Sequence, residues 1–235
     1  MKAIIPVKYS SSRIAFKNFK AFYGEKSLCD LTVEKLLKVL DPSDIYMSCE
    51  VDVKYLADKH GINFILRDKR LADNDSPIYD VFNGVCDQVK GNDDIAWCQV
   101  IDPLFNDYQQ CFDTWNDDYE QLQCEVWSVC NVKRDCDSLV VVYPHKDYYL
   151  NEKYEPEGFG FGAWHKKSQL LPNKYQLTFT LSILKREAIK QYGYYVGAKP
   201  YWYHAHNHRV DIDTQGDFEM AQAVYSYFQK RSNGS

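Results

Sequence analysis

The 235-residue sequence contains no GxxxxGK[ST] and no GxGxxG segment, so a P-loop and a dinucleotide fingerprint are excluded on spacing. It also lacks any run near the roughly 20 apolar residues that a membrane helix requires. The opening MKAIIPVKYSSS is broken by Pro6 and Lys8, which argues against a signal peptide. Eight cysteines are present, yet Cys111, Cys124, Cys130 and Cys136 form no CxxC pair, which disfavours a zinc ribbon. Without a secretory signal these thiols read as reduced, and the expectation is a cytoplasmic protein with no membrane partner. Residues 91–132 hold nine acids and not one Lys or Arg.

What is present complements these gaps. Hydrophobic residues make up 45% and aromatics 15%, enough for a substantial core and against disorder. The net charge of −5 argues against a general nucleic-acid binder. Six cations fall within residues 1–26 (Lys2, Lys8, Arg13, Lys17, Lys20, Lys26) against the single acid Glu25. That asymmetry suggests an anion site near the start of the chain, although scattered surface lysines would give the same count.

Short apolar runs alternate with longer amphipathic ones, the pattern of an α/β fold. Strands are expected at Ala3–Val7, Asp44–Cys49, Asn63–Leu66, Ile95–Ile101 and Ser138–Tyr143. Helices are expected from Ser27 to the Asp41-Pro42 stop, and over Asp52–His60, Ile78–Val89 and Tyr108 to about Leu122. Residues 144–176 are aromatic, Gly-rich and aperiodic. A strand at Leu177–Leu184, a short helix at Lys185–Gln191, a strand at Tyr201–Val210 and a helix at Thr214–Lys230 close the chain. The resulting expectation is an open, mainly parallel, Rossmann-like sheet flanked by helices. Its parts are a core at 1–143, an irregular insertion or dimer arm at 144–176, and the rest of the core at 177–235. Such sheets bind ligands at the carboxyl ends of their strands. That selects the Lys8–Asn18 loop, the Arg67–Ser76 loop and the turn after Gln99.

The Ser-rich loop after the first strand carries Lys8, Arg13 and Lys17, and hydroxyls with cations suit a polyphosphate. An exposed basic loop is the plain alternative. In VDIDTQGDF, strand alternation would put Asp211 and Asp213 on one face. Two carboxylates there can hold Mg²⁺; alternatively Asp213 or Thr214 caps the following helix. His204, His206 and His208 also alternate, but without an evident fourth ligand they read as strand surface. Gly158-Phe159-Gly160-Phe161-Gly162 sits in a loop and reads as a segment that folds over a site or a subunit neighbour.

Taken together, these segments resemble the cytidylyltransferases that activate nonulosonic and ulosonic acids, including the CMP-sialic acid synthetases. Ile5-Pro6-Val7-Lys8-Tyr9-Ser10-Ser11-Ser12-Arg13-Ile14-Ala15-Phe16-Lys17-Asn18 follows the frame I-P-A-R-x-G-S-x-R-I-P-x-K-N. Arg67 with Leu71-Ala72 is similar to R-P-x-x-L-A, and Gln99-Val100-Ile101-Asp102-Pro103-Leu104 to Q-P-T-S-P-L. Asp137-Ser138-Leu139-Val140, Gln169-Leu170-Leu171-Pro172 and Asp211-Ile212-Asp213-Thr214 with Asp217-Phe218 complete an ordered series over nearly the whole chain.

The resemblance implies transfer of CMP from CTP to an acidic sugar, with pyrophosphate released, Mg²⁺ as cofactor and a homodimer. It implies catalytic roles for Lys8, Arg13 and Lys17, and nucleotide contacts from Ser11, Asn18 and Arg67. Gln99, Lys167, Tyr194 and Tyr195 would face the sugar, with core or dimer packing the alternative and favoured role of the two tyrosines, and Asp211 and Asp213 would face the metal. Four positions depart from the pattern: Lys8 replaces an Arg, Ser10 a Gly, and Phe105 and Ser168 stand where arginines are usual. A same-fold enzyme using another nucleotide such as GTP with a sugar phosphate therefore stays open, as does a binding module without activity. A glycosyltransferase reading Asp-x-Asp is disfavoured, because that site belongs in mid-chain after a buried strand.

Overall fold

Ala3, Ile4 and Ile5 are consecutive, apolar and fully buried, so the first strand has no polar face and must lie inside a sheet covered on both sides. The computed structural model describes residues 1–11, 13–116, 122–123, 129–130, 135–206 and 209–233. In chain order its elements begin with β1 (Lys2–Pro6), a ribbon of β2 (Ala21–Tyr23) and β3 (Lys26–Ser27), and α1 (Leu28–Leu36). Next come β4 (Ile45–Cys49), α2 (Lys54–His60), β5 (Asn63–Leu66), α3 (Ile78–Cys86), β6 (Ile95–Cys98) and α4 (Tyr108–Asn116). A second ribbon pairs β7 (Leu122–Gln123) with β8 (Val129–Cys130). The chain continues through β9 (Ser138–His145), β10 (Lys174–Leu184), α5 (Arg186–Tyr192), β11 (Pro200–His204) and α6 (Gln215–Asn233).

Seven strands form one sheet in the order β11-β9-β10-β6-β1-β4-β5. Every neighbouring pair is parallel except those made by β10, which runs against both β6 and β9. Period-two alternation splits the buried side chains between the faces. Ala3, Ile5, Ala96 and Cys98 pack with α1, α4 and α6, while Ile4, Ile95 and Trp97 pack with α3 and α5. The chain leaves β1 toward β4 on one side, and β6 lies on the other, so a crevice opens beyond the carboxyl ends of β1 and β6.

Local signals account for the helix ends. Ser27 and Asp30 make a reciprocal capping box at the start of α1. Gly61, at φ 69°, takes the left-handed conformation that stops α2. Several boundaries differ from expectation. β6 ends at Cys98 rather than Ile101, and α3 at Cys86 rather than Val89. β10 begins at Lys174, so the sheet reaches into the segment read as an insertion. The described residues between His204 and Gln215 belong to no strand, so the alternation argument for Asp211 and Asp213 does not hold. The helix expected to run on to Leu122 is described only to Asn116. Cys29, Cys49, Cys86, Cys98 and Cys111 are buried thiols in no disulfide; Cys124 and the side chain of Cys130 lie outside the described residues.

Candidate functional site

Beyond β1 the backbone turns into a loop fixed at several points. The Val7 amide bonds Ser48 O, the Tyr9 amide donates to Glu50 Oε1 at 2.8 Å, and Asn18 Nδ2 donates to Lys8 O at 3.2 Å. Phe16 takes a left-handed φ of 52°, and the amides of Phe19 and Lys20 both bond its carbonyl. Tyr9 packs on Phe16 and Phe19, with ring centroids 5.3 and 5.6 Å away. Together these contacts curl the loop, so that Lys8, Ser11, Arg13, Lys17 and Asn18 all line one cleft of about 620 Å³. The opposite walls carry Arg67, Trp97, Gln99 and Tyr195.

Arg67 is the most buried cation of the cleft. Its Nη2 donates to Val7 O at 2.9 Å and to Glu50 Oε2 at 3.2 Å, while its Nε is buried without a hydrogen-bond partner. Glu50 thus ties the ends of β1, β4 and β5 together; its position just past a strand end was the available signal, and sequence reasoning passed over it. Lys8 Nζ reaches Asn74 Oδ1 across the cleft at 2.9 Å. On the far wall Phe82 stacks on Trp97 at 4.1 Å, and Tyr195 meets Phe82 at 4.9 Å and Phe179 at 4.5 Å. Phe179 sits in the β10 irregularity with a left-handed φ of 56°, a strained conformation for an aromatic residue. Burial lifts the Tyr195 pKa, and a hydrogen bond with Gln99 opposes the rise. Two residues expected at the sugar are placed elsewhere. Tyr194 packs on Tyr195 at 5.3 Å without lining the cleft, and Lys167 is exposed on the 144–176 segment, also off the cleft. Both departures come from chain path: Tyr194 turns away where its neighbour turns in, and the segment bearing Lys167 projects from the sheet.

Asp211 and Asp213 do not line the cleft themselves, but the segment that carries them contacts two residues that do, Arg13 and Lys17. Lys17 Nζ donates to Ile212 O at 2.7 Å, Arg13 Nη2 pairs with Asp213 Oδ1 at 2.7 Å, and Arg209 Nη2 with Asp211 Oδ2 at 2.5 Å. Burial lowers the Lys17 pKa, opposed by the charges of Asp213 and Asp211. Capping falls to Thr214, whose hydroxyl and amide exchange hydrogen bonds with Asp217 at the start of α6. Asp211 and Asp213 are therefore not consumed by the cap. Among the described residues no group of three or more His, Cys, Asp or Glu side chains converges. Two carboxylates beside a cation-lined cleft are a hard-oxygen donor set that fits Mg²⁺, which uses few protein ligands and leaves positions for phosphate and water. It does not fit a transition-metal site. His204 stacks against Tyr175 at 4.9 Å, and His208 lies outside the described residues.

Behind the cleft lies a buried polar network that sequence reading did not find. Asp102 accepts from Tyr143 Oη at 2.7 Å and from the Leu104 amide at 3.0 Å, and burial raises its carboxyl pKa. Lys35 Nζ donates to Pro103 O and Phe105 O at 2.5 and 2.8 Å, and burial pushes its pKa down to about 8. The available signal was Lys35 lying one helical turn from Leu31 on the apolar face of α1. Phe105 itself is fully buried.

No protein-family model and no curated protein matches the chain. Solved structures do. CMP-2-keto-3-deoxy-manno-octonic acid synthetase complexed with CTP matches with a TM-score of 0.64 at 13% identity, over 96% of this chain and 98% of its own. 4-Diphosphocytidyl-2C-methyl-D-erythritol synthase from Anaerococcus prevotii gives 0.59 at 9%, over 96% of each chain. A putative glucose-1-phosphate thymidylyltransferase from Bacillus anthracis, in complex with sucrose, gives 0.61 at 14%, over 95% of this chain and 94% of its own. Identities this low speak to architecture alone, and the architecture agrees along the full length: the chain has the Rossmann-like nucleotidyltransferase fold.

Proposed function

We propose that the protein is a Mg²⁺-dependent nucleotidyltransferase that moves CMP from CTP to an acidic nonulosonic or ulosonic sugar. The observation that supports this reading is the convergence of Lys8, Arg13 and Lys17 on one cleft, with Lys17 and Arg13 touching the Asp211–Asp213 segment. The anomeric hydroxyl oxygen of the sugar bonds to the α-phosphorus. The bond from that phosphorus to the bridging oxygen breaks, pyrophosphate departs with the electron pair, and the hydroxyl proton passes to water. Such a transfer demands alignment and charge neutralisation more than a strong base. Lys8, Arg13 and Lys17 neutralise the phosphate oxygens, and Ser11 and Asn18 orient them. Arg67, held by Glu50 and Val7 O, lends its positive charge to the nucleotide end of the cleft. Gln99 and Tyr195 hold the acceptor against the Trp97–Phe82 wall. Asp211 and Asp213 would hold the Mg²⁺, which supplies further neutralisation when bound.

The test is pyrophosphate release with CTP, GTP, UTP or ATP, Mg²⁺ and a panel of sugar acids and sugar phosphates. Turnover is expected with CTP and an acidic sugar, and Lys17→Ala should lower it by about two to three orders of magnitude. Turnover with GTP and none with CTP would reject the cytidylyl assignment. A second reading, another nucleotide with a sugar phosphate, is favoured by the burial of Phe105 and by Lys167 lying off the cleft. Lys167 was the candidate for gripping a sugar carboxylate, and Phe105 stands where the resemblance has an arginine. The proposed assembly is a homodimer through the 144–176 arm, supported by the exposure of Tyr154, Phe161, Trp164 and Leu170 on it.

A further inference from the structure

The acids assigned above to the metal are each already paired with an arginine, and the two arginines differ in kind. Arg13 stands on the cleft loop with 63% of its side chain exposed and contacts Asp213 at 2.7 Å. Arg209 keeps only 12% exposed, contacts Asp211, and has its Nε buried without a hydrogen-bond partner. Its charge also acts on Asp102 and Tyr143 in the network behind the cleft. Lys17 adds a third cation at Ile212 O. With Asp217, whose carboxylate accepts from the Asp213 amide and feels the charge of Arg13, three carboxylates face three cationic groups, so the acids are already neutralised before a divalent ion approaches the ligand-free protein.

We propose that Arg13 and Arg209 are internal counter-ions of the Asp211–Asp213 pair, and that the pair takes a divalent cation only once a polyphosphate draws Arg13 away. Arg209 stays behind and acts as a positioning residue for Asp211. This rests on the reading of the pair as the metal site. Arg13 can reach either partner because it lines the cleft while contacting Asp213. Its transfer to phosphate, together with that of Lys17, turns the field around the carboxylates from balanced to negative. Arg209 cannot follow, because its side chain is largely buried, Nε included. The consequence is an order of binding in which metal enters with or after the triphosphate, never before it.

Two titrations test the idea without any turnover. The first follows Mn²⁺ binding to the nucleotide-free protein by the loss of the free-ion electron paramagnetic resonance signal. Wild type should bind weakly, and Arg13→Gln about tenfold or more tightly, because one positive charge beside the ion is gone. Arg209→Gln should show a similar gain and Arg209→Lys none, since lysine restores the charge. Adding Asp213→Asn to Arg13→Gln should abolish the gain. Equal Mn²⁺ affinity in wild type and Arg13→Gln overturns the proposal, as does a gain that survives Asp213→Asn. The second titration measures tripolyphosphate binding in EDTA by calorimetry. Asp213→Asn should tighten it several-fold, because Arg13 no longer has to leave a carboxylate; an unchanged or weaker affinity overturns the proposed transfer of Arg13. Neither measurement uses a sugar or a cytosine base. Failure of the cytidylyl reading would appear as absent turnover with these shifts intact.

Discussion

At the scale of single residues, the fold relies on a few buried charges with assigned partners. Asp30 is the clearest. Its carboxylate accepts from Lys59 Nζ at 2.7 Å and from the Ser27 amide and hydroxyl at 2.8 and 2.6 Å, with His60 Nε2 at 2.7 Å. Burial opposes the charge, but these bonds outweigh it and hold the pKa well below the usual carboxylate range. A depressed carboxylate pKa adds stability that is present above the unfolded value, about 4, and is lost as pH falls toward the folded one. Urea unfolding at pH 7 and pH 3 should show wild type losing more stability on acidification than Asp30→Asn. Parallel losses in the two proteins would remove Asp30 from the explanation. Arg67 makes a second case. Glu50, beside it with 11% of its side chain exposed, would be left with no charge partner in Arg67→Ala. The expected cost is about 3–5 kcal/mol by denaturant unfolding, and a cost below about 1 kcal/mol would show that water replaces the guanidinium.

At the scale of elements, the ends matter more than the middles. α5 stops at Gly193, φ 51°, where an added Cβ would lie 2.8 Å from Tyr79 Cα and overlap the Tyr79 ring. Gly193→Ala should therefore cost about 2 kcal/mol, roughly 4–8 °C in Tm for a chain of this length. Because Tyr194 and Tyr195 follow directly, KM for the acceptor should rise as well. A Tm equal to wild type would mean that Tyr79 gives way freely. How much of such detail was legible in the sequence depended on how local its cause is. β5 at Asn63–Leu66 and the Gly61 stop follow from neighbours in sequence, and were read correctly. The reversal of β10 is a property of pairing across the sheet, to which period-two alternation is blind. The stretch after His204 shows the opposite error. Alternating histidines imitate a strand, while β11 ends at His204 and, among the described residues beyond it, Asp211 and Asp213 pair with Arg209 and Arg13. The cleft loop was legible because its cations crowd into a short segment. Glu50 and Lys35 were not, since each gains its role only through a residue distant in sequence.

At the scale of the whole molecule, three of the six cations at the front of the sequence, Lys8, Arg13 and Lys17, line a cleft at the carboxyl edge of the sheet, while Lys2, Lys20 and Lys26 bond Asp44, Gln215 and Glu34. A ligand bound there stabilises the native state by mass action. CTP with Mg²⁺ at about a hundred times its Kd should add about 2.7 kcal/mol, seen as a rise in Tm that Lys17→Ala largely abolishes. An identical rise in that variant would place the nucleotide elsewhere. Among the described residues no helix is long and apolar enough to cross a membrane. β9 runs parallel to β1, and β10 returns beside it, so the 144–176 arm springs from the same edge as the cleft. His145 and Lys174, at the two stems of the arm, are cross-strand partners, which puts them about 5 Å apart. In genetic terms such a segment behaves as a cassette: one deletion or exchange can remove or replace it while both stems stay joined in the sheet. A descendant could change what the arm touches in a single event, and inherit the Lys8–Asn18 loop and its cleft unchanged.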